Sequence, residues 1–187
     1  MKLAVADGAL QWHWPVPLAV HRFAGASEVN PVLARAFCAM RATDAAEPGG
    51  NFYASADDLL RRVDLPEFHA LLKFIAASLQ ATAQQANAGV WPAGRHGLQL
   101  ELMGVWFQIQ NGATFHDIHT HGNCSWSGVY YVQIDPVAQR RQHPDFGDLN
   151  GATRFYSPMF PLLGGAHIDM GNAWLQQATL DVTPQEG

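Results

Sequence analysis

The stretch Phe115-His116-Asp117-Ile118-His119-Thr120-His121-Gly122 packs three of the chain's nine histidines into six residues. Neutral imidazole nitrogens are good ligands for iron, zinc, copper and nickel. On a strand, side chains alternate between faces, so Asp117, His119 and His121 are predicted on one side and His116, Ile118 and Thr120 on the other. The Cα atoms of a His-x-His pair on a strand lie about 7 Å apart, near enough to share one ion. Two such ligands leave the remaining coordination positions open, as metal catalysis requires. His116, on the opposite face, is expected to be a surface group or to support the ligands. The plain alternative is a half-exposed strand whose histidines only form hydrogen bonds, since a lone His-x-His is a weak pattern. His13, His21, His69, His96 and His143 are read as ordinary polar groups. His167 stays open because of its glycine-rich setting at residues 164–169.

The elements that must position this cluster follow from composition and pattern. The 187 residues are 48% hydrophobic and 14% charged, enough for one folded domain with a core. With a net charge of −5 and no basic stripe, nucleic acid is not an expected partner. No apolar run approaches the ~18 residues of a membrane helix. Cys38 and Cys124 read as free, mostly buried thiols of a reducing compartment, and MKLAVADGALQW lacks the apolar core of a signal peptide, so a cytoplasmic location is expected. The paired Arg61-Arg62 and Arg140-Arg141 read as solvated surface.

Residues 1–97 are read as a helical support region. The first 25 residues look extended. Asn30-Pro31 is expected to start a helix, with asparagine as cap and proline in the first turn. Ser55 is expected to cap a short helix. Asp64-Leu65-Pro66-Glu67 opens a long one that carries Phe68, Leu71, Leu72, Ile75 and Leu79 on one face and stops at Gly89. Residues 98–187 are read as a β core, with strands at 98–110, 114–121, 127–134, 152–156 and 177–183. The order implies an α+β fold, helices packed outside a β-sandwich or barrel.

A resemblance sharpens this reading. The segment His119-Thr120-His121-Gly122-Asn123-Cys124-Ser125-Trp126-Ser127-Gly128-Val129-Tyr130-Tyr131-Val132 closely resembles a family of 2-oxoglutarate/Fe(II)-dependent oxygenases, which carry an H-x-H-P-type turn and then an S-G-V-Y-Y strand. Residues 50–60, GNFYASADDLL, look like that family's segment before its long helix, and Trp106 stands in the strand before the site. Gly151-Ala152-Thr153-Arg154-Phe155-Tyr156-Ser157-Pro158 resembles its G-x-x-x-F-x-D-P strand, with Ser157 where the acid usually stands.

The resemblance implies a double-stranded β-helix, or jelly roll, with the N-terminal helices outside it. It also implies Fe(II) as cofactor and 2-oxoglutarate as co-substrate. His119 matches the first metal ligand, and His121 stands where the wider class has a carboxylate, leaving open whether His121 or Asp117 completes the metal face. Trp106, Tyr131 and Asn123 are candidate pocket or supporting residues, and Tyr130 and Phe107 would line or support the same cavity or else pack as core. The family continues into strands bearing a distal histidine and an arginine for 2-oxoglutarate; the resemblance therefore implies a chain that stops before its last strands, with activity as given in question. The substrate, a small molecule or a protein side chain, is not legible, and a homo-oligomer is compatible. The weighed alternatives are a cupin-like metal-binding protein and a non-catalytic remnant of an oxygenase.

Overall fold

The computed structural model describes residues 16–45, 50–92, 97–111, 114–158 and 179–187. In chain order the elements are α1 (Ala26–Asp44), β1 (Phe52–Ala54), α2 (Leu59–Arg62), α3 (Pro66–Asn87), β2 (Gln108–Gln110), α4 (Val137–Arg140), β3 (Thr153–Tyr156) and β4 (Thr179–Val182). Helices and strands both contribute, as the α+β reading requires. The described strands form two antiparallel pairs: β1 with β2, matching Tyr53 to Ile109, and β3 with β4, matching Arg154 to Asp181.

The long helix forms as its sequence dictates. Pro66 occupies the first turn, where the missing N–H costs nothing, and Glu67 faces the positive end of the helix dipole. Phe68 and Leu71 are buried, while Leu72 and Ile75 pack at the margin of the same cluster. α1 lies against α3 and contributes Val29, Leu33 and Phe37. Leu59 and Val63 close the cluster from α2, and Phe107, just before β2, stacks on Phe37 with ring centres 4.5 Å apart. Phe107 is thus core rather than cavity lining, and Tyr130 packs half-buried against the same cluster.

Three local expectations are corrected. α1 begins at Ala26, after Gly25, and Pro31 lies inside it. Asn30 is not a cap: it is buried, and its Oδ1 accepts a 2.6 Å hydrogen bond from the Tyr130 hydroxyl. Ser55 does not cap α2 either. Its backbone N–H donates to the Phe107 carbonyl, and its hydroxyl oxygen accepts from the Phe107 N–H at 3.0 Å. Ser55 thereby extends the β1–β2 pairing by one step. Finally, 98–107, 114–121 and 127–134 are not strands; among the described residues of 98–134 only 108–110 pair as one.

Arg140 also departs from expectation. Only 4% exposed, it donates from Nε to the Asp135 carbonyl and from Nη1 to the carbonyls of Asp148 and Asn150. One guanidinium thus gathers the loop 135–150, which leads from the histidine-bearing segment to β3. Its neighbour Arg141 is exposed and pairs with Asp148, as a solvated residue should. The residues before 16, expected to be extended, His96 and the glycine-rich stretch around His167 lie outside the described residues.

Candidate metal centre

The histidine segment leaves β2 and runs beside β1. Asn51 anchors it: its carbonyl accepts from the Asn111 N–H at 2.7 Å and from the Thr114 hydroxyl at 3.2 Å. Beyond that anchor residues 114–121 belong to no strand, so strand alternation does not govern their side chains. The ring of His116 instead turns toward His119. Their centres are 4.3 Å apart and meet edge to face, and His119 meets His121 in the same way at 4.9 Å. The expectation that His116 points away from the other two is therefore wrong, because it assumed a pleat that is not there.

His116 is held from behind by aromatic rings. Phe52, in β1, stacks nearly parallel to it at 6.0 Å, and Trp106 lies tilted at 6.1 Å. Both contacts depend on the β1–β2 pair, which brings residue 52 and the approach to β2 together. The H-x-x-H-x-H spacing was the sequence signal for His116; Phe52 carried none.

One contact selects the tautomer of the neutral His119 ring. Its Nδ1 lies 2.8 Å from the Asp117 carbonyl oxygen. A carbonyl can only accept, so Nδ1 is the protonated nitrogen and, in the neutral ring, Nε2 is the one with the lone pair. A backbone carbonyl holding the far nitrogen of a histidine is the usual arrangement behind a metal-binding imidazole. Asp117 thus meets His119 through its backbone, and its carboxylate is exposed.

The other sequence candidates divide. Trp106 reaches the cluster through His116. Asn123 is exposed in the turn after His121. The Tyr131 hydroxyl hydrogen-bonds the Thr153 hydroxyl at 2.5 Å, which ties this segment to β3 rather than to the imidazoles. Tyr130 serves the core side: burial pushes its hydroxyl above the ordinary phenol range, with the hydrogen bond to Asn30 opposing that shift and the Glu186 charge adding to it. His21, His69 and His143 have local partners in Thr82, Asp64 and the N–H groups of Asp145 and Phe146.

As a donor set, adjacent exposed imidazoles with a fixed tautomer suit a divalent transition ion. Among the described residues, no group of three His, Cys, Asp or Glu side chains is already placed to hold one. The fit is that of a pair, His119 and His121, and not of a closed cage.

A protein-family model described as "Putative 2OG-Fe(II) oxygenase" matches residues 104–187. The match begins two residues before Trp106 and spans the whole histidine segment, the Arg140 loop, β3 and β4. No curated protein and no solved structure matches the chain. Among the described residues, no helix is long and apolar enough to cross a membrane.

Proposed function

We propose that this protein is an Fe(II)/2-oxoglutarate-dependent oxygenase of the hydroxylase type, with His119 and His121 as iron ligands. The observation that carries the reading is the family match over residues 104–187, which includes the segment where the His119 and His121 rings meet and where the neutral His119 tautomer leaves the lone pair on Nε2. When bound, Fe(II) supplies the chemistry in which 2-oxoglutarate, O₂ and a substrate C–H yield succinate, CO₂ and the alcohol. The chain's own residues hold and orient. The Asp117 carbonyl fixes the His119 ring, and Phe52 with Trp106 forms an aromatic wall on one side. The reading carries a fold as well: the two antiparallel pairs are parts of a jelly roll, with α1 and α3 packed outside it.

A second reading is a metal-binding module without turnover, which the adjacent His119 and His121 rings would serve by themselves. Incubation with Fe(II), ascorbate and 2-oxoglutarate separates the two. The oxygenase reading expects succinate formation that His119→Ala abolishes. Metal binding to the pair with no succinate, across panels of small molecules and peptides, would replace it with the second reading.

A further inference from the structure

We infer that the outward face of the β1–β2 pair, with the histidine segment beside it, is a docking surface for a cationic peptide, so that the substrate class of this site is a lysine- or arginine-bearing chain. The word substrate rests on the oxygenase reading above; the surface itself rests on charge and exposure. Residues 50–60 and 97–139, which build this part of the molecule, hold Asp57, Asp58, Glu101, Asp117 and Asp135 and no lysine or arginine. These five acids amount to the whole net charge of −5, and the rest of the chain is balanced. Asp58 lies 3.7 Å from Arg62, but Asp57, Glu101 and Asp117 form no ion pair among the described residues. A surface with charge of one sign draws the opposite sign and turns away its own.

The same stretches expose aromatic rings. Tyr53, Phe107 and Ile109 turn toward the helical core, so strand alternation turns Phe52 the other way. Trp106, just before β2, reaches that same side, since it and Phe52 both meet the His116 ring. Phe52 and Trp106 each keep more than a third of their surface exposed. The Asp57 carboxylate lies so close over Gly104, two residues before Trp106, that a Cβ there would collide with it. Asp117 follows His116 directly, and it too is exposed. An ammonium or guanidinium group over an aromatic face gains from the ring quadrupole, and a nearby carboxylate adds to that attraction. The surface is open, with Phe115 and Ile118 standing exposed along it, whereas small-molecule sites are enclosed clefts. A chain that alternates basic and apolar residues matches both features; a free amine would leave the apolar side chains uncovered.

The test uses the full chain and three fluorescein-labelled peptides with identical apolar positions, whose polar positions are all lysine, all glutamine or all glutamate. Binding is read by fluorescence anisotropy without iron or 2-oxoglutarate, and helical circular dichroism reports folding. The lysine peptide should bind about tenfold more tightly than the glutamine peptide and lose affinity as salt rises, with the glutamate peptide unbound. Trp106→Leu keeps an apolar side chain but loses most of the π face, and should weaken the lysine peptide about threefold to tenfold. If that variant fails to fold, Phe52→Leu takes its place. Asp117→Asn should weaken it about twofold to fivefold. Asp64→Asn removes the same charge from the helical half, at a side chain 98% exposed, and should change nothing. Equal binding of the lysine and glutamine peptides overturns the inference. So does a loss in Asp64→Asn as large as in Asp117→Asn, because attraction then follows net charge alone. Unchanged affinity in both the aromatic variant and Asp117→Asn overturns it as well. The oxygenase reading fails separately: a lysine peptide held by this face, with no succinate from any of the peptides once Fe(II) and 2-oxoglutarate are added, removes that reading and leaves the docking surface standing.

Discussion

The helical half and the histidine segment are built on opposite plans. Around α1, α2 and α3 stability comes from contiguous apolar burial: Leu33, Leu59 and Phe68 have almost no exposed surface. Along 114–129 large apolar side chains stand in the open, with Phe115 70% and Ile118 65% exposed. That segment is held by a few named contacts, at Asn51, Phe52, Trp106 and, at its far end, Asn30. The core is sensitive above all to loss of volume. The segment is the reverse: its position depends on individual hydrogen bonds and ring contacts, and so do the donors it carries.

Substitutions can break this contrast, and the largest effect belongs to the core. Phe68→Ala should destabilise the fold by about 3–5 kcal/mol, read by thermal or urea unfolding, because it empties a fully packed site between the helices. A loss well below that range would mean that the helices pack less tightly than their burial indicates. Next in size is Arg140→Met, which keeps the apolar stem but leaves three backbone carbonyls without their donor. It should cost about 1–3 kcal/mol. Faster amide exchange should be confined to 135–150, with α3 protected as before; a uniform rise in exchange would show that the loop and the core unfold together.

Tyr130→Phe tests the link between the two regions. It keeps the ring on the core but leaves Asn30 with neither of its side-chain polar atoms satisfied, since Nδ2 already has no partner. The expected cost is about 1–2 kcal/mol by urea titration. The pH dependence follows in sign. The folded Tyr130 hydroxyl titrates above its unfolded value of about 10, so its contribution is complete below that pH and is lost as pH rises through the raised folded value. Tyr130→Phe should therefore flatten the alkaline limb of the stability curve.

The smallest effect is expected at the β3–β4 pair. Arg154 and Asp181 stand directly opposite and bond through two contacts of 2.7 and 3.0 Å. That bond holds the Asp181 carboxyl below the usual carboxylate range. The pair's contribution is present above an unfolded value of about 3.9 and fades as pH falls through the depressed folded one. Both groups face solvent, so Arg154→Ala should cost at most about 1 kcal/mol and less in high salt. A larger loss, measured at neutral pH, would mean that this strand pair is a structural keystone.

What was legible in the sequence follows the same division. α3 was readable because its start signal at residues 64–67 and its apolar stripe are both local. β3 and β4 were readable from β-forming runs bounded by turn residues. Asn30-Pro31 misled because the asparagine's partner is Tyr130, a hundred residues away, and no local rule carries such a bond. Ser55 misled for the same reason: a long-range hydrogen bond to Phe107 outcompetes the short-range cap. Arg140 looked like surface because its acceptors are backbone carbonyls, which leave no mark in side-chain pattern. In the histidine segment, the nearness of the His119 and His121 rings was legible from spacing alone. His116 was misplaced because period-two alternation holds only where a neighbouring strand enforces the pleat.

Trp106 gives the cluster an optical signature. Its indole lies against His116, 37% exposed to solvent. An open-shell ion captured by the imidazoles would sit close to it and drain its excited state, while the chain's other five tryptophans add emission of their own. The share of the metal-induced dimming that is lost when Trp106 is replaced with phenylalanine is therefore a built-in gauge of occupancy at the imidazoles.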